Sequence, residues 1–86
     1  MGRKISSAQL RAARALLRWS ALELASASKV GVATIRRVEV VDGEIPATSA
    51  NEAALRRALE AAGVEFINEN GGGAGVRLKK PSGKQP

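Results

Sequence analysis

The sequence predicts an all-α domain, a small bundle of about four to five short helices packed around one core. Three observations point there. Apolar residues recur at helical spacing in two segments, Leu10, Ala13, Leu17 and Leu55, Ala58, Leu59, Ala62. Two Ser-x-x-Glu boxes, Ser20/Glu23 and Ser49/Glu52, mark helix starts. Between them, Ser20–Glu39 reads as two short helices joined by a tight turn, the layout of a helix-turn-helix.

The elements follow in order. Residues 1–5 form a basic N-terminal arm carrying Arg3 and Lys4, and the helical domain spans residues 6–63. Ser6 or Ser7 can cap a first helix that runs to about Leu17. Leu10, Ala13 and Leu17 form its inward stripe, and Arg11, Arg14 and Arg18 a second stripe at the same spacing. Trp19 closes the apolar side where the chain turns.

Ser20 opens the second helix. Its hydroxyl can accept from the Glu23 N–H while the Glu23 carboxylate reaches back to the Ser20 N–H. Leu24 and Ala25 face inward, and Ser26–Gly31 is small and polar enough to turn. Gly31 can cap a third helix over about residues 32–40. Val30, Ile35 and Val38 pack inside, leaving Val32, Ala33, Arg36 and Arg37 more exposed. Asp42-Gly43 and Ile45-Pro46 then punctuate a loop. Ser49 starts a fourth helix through Ala62, where Glu52–Arg56 and Arg56–Glu60 stand at i, i+4 spacing. Gly63 supplies the left-handed residue that ends it.

Beyond Gly63 the period changes. Val64-Glu65-Phe66-Ile67 is strand-like, Asn68–Gly75 is glycine-rich, and Val76-Arg77-Leu78-Lys79 alternates apolar and basic. Residues 64–79 therefore read either as a β-hairpin, which also offers a dimerisation surface, or as a disordered extension. A lone hairpin is marginal in water and needs something to pack on. Residues 80–86 read as a disordered basic tail. The Gly-rich run is not a phosphate loop, because no GK[ST] ending and no helix follows it.

Composition narrows the chemistry. The 86 residues contain neither cysteine nor histidine, which removes thiolate metal sites, disulfides and the usual general base. No catalytic constellation, metal site or cofactor motif is present. Tyr is absent and Trp and Phe occur once each, too few to stack single-stranded bases. No apolar run approaches the roughly 20 residues that span a bilayer, so the expected setting is cytoplasmic, with no membrane partner. Of the net charge of +6, Met1–Trp19 carries five cations and no acid, and Gly71–Pro86 carries four cations and no acid. That distribution suits an anionic partner gripped partly by the ends.

Leu16-Leu17-x-Trp19-Ser20, Glu23-Leu24-Ala25, Val30-Gly31-Val32-Ala33-Thr34-Ile35-x-Arg37-Val38-Glu39 and Leu59-Glu60-Ala61-Ala62-Gly63-Val64 together resemble the XRE-type helix-turn-helix family, which includes lambdoid phage repressors and Cro proteins. The resemblance covers roughly residues 6–80 and is strongest over 14–39. It implies a lambda-repressor-like bundle and a bacterial transcription regulator that binds double-stranded DNA as a homodimer. It also implies a structural ion pair between Arg14 and Glu39. Two features depart from the family: Ala21 replaces a frequent Gln, and Val32 and Ala33 open the recognition helix where polar residues are common.

The candidate DNA-binding residues are accordingly Thr34, Arg36 and Arg37 for base edges, Val32 and Ala33 for thymine methyl groups, and Ser20, Arg3 and Lys4 for phosphates. Arg11 and Arg18 are left to phosphate or solvent. The apolar opening Val30–Ala33 supports a second expectation, a protein-interaction module on the same fold, such as an antitoxin or anti-activator with a protein partner.

Overall fold

The computed structural model describes residues 4–79; Arg3 and the tail from 80 onward lie outside it. The chain folds into four helices followed by a two-stranded antiparallel sheet. The helices are as anticipated in number, and of the two readings of residues 64–79 the fold adopts the β-hairpin, so the domain is a small helical one but not purely all-α.

α1 (Ser7–Leu17) starts at Ser6, whose Oγ accepts from the Gln9 N–H while the Gln9 Oε1 accepts from the Ser6 N–H. Both early orphan donors are met by one box. α2 (Ala21–Ser28) starts at Ser20 with the box to Glu23 that the spacing predicts. It runs further than the composition suggests, because Lys29 ends it by adopting φ 66°. α3 (Val32–Val38) begins at Gly31 and stops at Glu39, short of the anticipated residue 40.

α4 (Ser49–Ala61) corrects a cap. Thr48, one residue ahead of Ser49, is the N-cap and accepts from the Asn51 N–H. Glu52 is consequently free to face the N-terminal segment, where its carboxylate accepts from the Ile5 N–H at 3.2 Å. Gly63 takes φ 108° and releases the chain into β1 (Val64–Ile67), which pairs with β2 (Gly75–Leu78). Val64 lies opposite Leu78 and Phe66 opposite Val76.

One core joins these elements. Leu10 and Ala13 of α1, Leu24 of α2, Ile35 and Val38 of α3, Leu55 and Leu59 of α4 and Val64 of β1 are all fully buried. Ile5 and Ile45 join them, with the Ile45 N–H donating to the Ile5 carbonyl. Ile5, expected as the last residue of the arm, is part of the core. The hairpin finds the support it needs on α1 and α4. Gln9 secures it: its Nε2 donates to Gly75 and Ile67 carbonyls at 3.0 and 3.3 Å. Arg56, held between Glu52 and Glu60, lies over the Phe66 ring at 5.4 Å.

Candidate nucleic-acid interface

α3 is short and has no side-chain N-cap, so its position depends on tertiary contacts. Its inner side is Ile35 and Val38, both fully buried. Its far end is fastened to α1. The Ser7 hydroxyl donates to the Val38 carbonyl and the Arg11 guanidinium to the Glu39 carbonyl. Arg14 engages Glu39 with two parallel bonds, Nε to Oε2 at 2.7 Å and Nη2 to Oε1 at 2.8 Å, and spends Nη1 on the Trp19 carbonyl. Two cations at the end of a helix also complement its dipole.

Burial makes the pair demanding. The Glu39 side chain is 8% exposed and that of Arg14 24%. The hydrogen bonds to Glu39 raise the Arg14 pKa above its ordinary value, against the lowering pull of desolvation. Arg14 and Glu39 therefore meet as the resemblance implies. Arg11 is the residue that sequence reasoning left to phosphate or solvent; its spacing of three from Arg14 is the signal that both serve one partner.

The outward side of α3 carries Ala33, Arg36 and Arg37, all exposed, with Val32 and Thr34 half-buried at its flanks. Among the described residues neither Arg36 nor Arg37 meets a carboxylate, unlike Arg14, Arg56 and Arg77. Two guanidiniums thus stand in solvent beside a small apolar surface. Ser20 is exposed at the start of α2; its N–H donates to the Glu23 carboxylate and its Oγ accepts from the Glu23 N–H, which leaves the hydroxyl proton free to donate. Lys4 is half-buried and donates to the Ala47 carbonyl. Arg3 lies outside the described residues. The candidate residues are thus gathered on α3, with Ser20 one element away and Lys4 engaged elsewhere.

Among the described residues no group of three or more His, Cys, Asp or Glu is placed to hold a metal ion. No helix of the described residues is long and apolar enough to cross a membrane. No protein-family model matches the chain, and no curated protein matches it either.

Proposed function

We propose that this protein is a sequence-specific double-stranded DNA-binding regulator of transcription, built as a lambda-repressor-like helix-turn-helix of α2 and α3. The observation that carries the reading is α3 itself. It is anchored at one end by Ser7, Arg11 and Arg14, while Arg36 and Arg37 project from it without acidic partners among the described residues. A major groove admits a helix of this kind, and arginine can donate bidentately to guanine O6 and N7. Phosphates would meet the remaining cations, drawn by a net charge of +6. A homodimer would set two such helices about one DNA turn apart. The hairpin and α4 offer its surfaces.

Random-site selection on duplex DNA, followed by a salt titration, tests this. An enriched palindrome whose affinity falls steeply with salt is expected. Salt-independent affinity, or no enriched sequence, overturns the reading. A protein-interaction role on the same fold has one specific observation in its favour: Leu22 and Val40, near the ends of α2 and α3, are 62% and 79% exposed. Capture of a defined protein partner together with no retained DNA would favour that role.

A further inference from the structure

α3 carries more information about its ligand than its charge. With 3.6 residues per turn, buried Ile35 and Val38 fix the inward direction, and Ala33 lies on the opposite side. Arg36 and Arg37 flank it one turn later, and Val32 lies at its edge. The part of the helix that would approach bases most closely thus ends in methyl groups. Side-chain donors begin only at Thr34, which is half-buried, and at the two arginines.

In the major groove, a methyl surface has one natural counterpart, the C5-methyl group of a pyrimidine. Three or four residues separate Ala33 from the arginines, about 5 Å along the axis. A base-pair step rises about 3.4 Å. The separation is about one and a half steps, and the length of an arginine side chain lets its guanidinium reach the base pair adjacent to the methyl contact.

We propose, resting on the DNA-binding reading above, that α3 recognises a C5-methylated pyrimidine beside a guanine. Ala33 and Val32 cover the methyl, and Arg36 or Arg37 donates to guanine O6 and N7. Thymine supplies that methyl, and so does 5-methylcytosine; cytosine and uracil do not. A TG step and a methylated CG step are therefore read alike, and an unmethylated CG step is read less well.

The test runs random-site selection twice, once on a pool of duplexes built with thymine and once with uracil in its place. Uracil keeps every hydrogen-bonding edge and lacks only the methyl. The enriched thymine site should contain TG and lose about fourfold in affinity for each contacted thymine replaced, the worth of one buried methyl group. Changing TG to CG in that site should weaken binding, and 5-methylation of the cytosine should recover about the same factor. Recovery would mean that either source of the methyl serves; a uracil effect without recovery assigns the methyl to thymine.

Ala33→Asn, an exposed change that leaves the core untouched, should abolish the thymine preference while Arg37 still selects guanine. Thermal unfolding of the variant confirms that it folds. Equal affinity for thymine and uracil sites overturns the proposal and leaves DNA binding standing. No enrichment from either pool overturns both.

Discussion

At the scale of single residues, Glu39 is a buried charge that the fold must keep paired. Its carboxylate is buried, and among the described residues its two oxygens accept from Arg14 alone. Removing the arginine strands a charge, so Arg14→Met should cost about 3 kcal/mol by denaturant unfolding. The double variant Arg14→Met, Glu39→Met should recover most of that loss, because two apolar groups leave nothing unpaired. A double variant as unstable as the single would show that the pair's geometry, not stranded charge, is what matters. Since burial and bonding raise the Arg14 pKa, the pair's contribution is complete below the ordinary arginine range and is lost only as pH rises through the raised value. It is therefore constant across neutral pH.

Lys29 makes the opposite case. It ends α2 at φ 66°, a conformation that strains any residue with a Cβ. Lys29→Gly should stabilise the protein by about 1 kcal/mol, read as a rise in the unfolding midpoint. No loss of contacts offsets this, because the side chain is exposed. Nothing in the sequence marks this position. Glycine would have announced a left-handed residue, as Gly63 does, and lysine hides it.

At the scale of elements, the hairpin packs on α1 and α4 through apolar side chains, and one amide adds the hydrogen bonds that hold it to α1. Gln9 serves three partners, the Ser6 N–H and the carbonyls of Gly75 and Ile67. Gln9→Ala removes a cap interaction and two buried donors together, which should cost about 2 kcal/mol. The β1–β2 amides should exchange with solvent much faster than those of α4. Uniform destabilisation without that difference would show that the hairpin does not depend on Gln9.

The hairpin's own cross-strand pair, Glu65 and Arg77, adds a pH dependence. The Arg77 guanidinium, chiefly through its hydrogen bond, holds the Glu65 carboxyl below the ordinary carboxylate range. A lowered pKa means the contribution is present above the ordinary value and is lost as pH falls through the lowered one. Glu65→Gln should therefore flatten the acid limb of a hairpin-specific stability profile. Both side chains are largely exposed, so salt should weaken the effect.

The elements also show what could be read beforehand. Capping boxes and the stripes of α1 and α4 fixed the helices, and Ser20/Glu23 lies where spacing puts it. Thr48 displaced Ser49 because both residues can cap and local pattern does not choose between them. The Ser6/Gln9 box has the spacing of the motif with Gln in place of Glu. Ile5 escaped notice because it stands between Lys4 and Ser6, ahead of the first helix and outside any periodic run. Its burial depends on Ile45, forty positions away in the chain.

Across the whole molecule, charge and structure divide the cations into two sets. Arg14, Arg56 and Arg77 are paired with carboxylates. Arg36 and Arg37 on α3, Lys79 beyond β2, and Arg18, Lys29 and Arg57 elsewhere are exposed without such a pair among the described residues. Composition supplied the total but could not make this division, because it depends on which acids the fold brings near. The two sets should behave differently toward DNA. Arg37→Ala should cost about 1–3 kcal/mol of affinity for the selected site and relax preference at one base pair. Lys79→Ala, if it meets phosphate, should weaken all sequences alike and lower the slope of log affinity against log salt by about one. Arg77→Ala should instead show its effect in hairpin stability, because its charge is spent on Glu65. Measuring affinity for the selected and a scrambled duplex at two salt concentrations separates the cases. Equal losses on both duplexes for Arg37→Ala would remove α3 from base reading and leave it a phosphate contact.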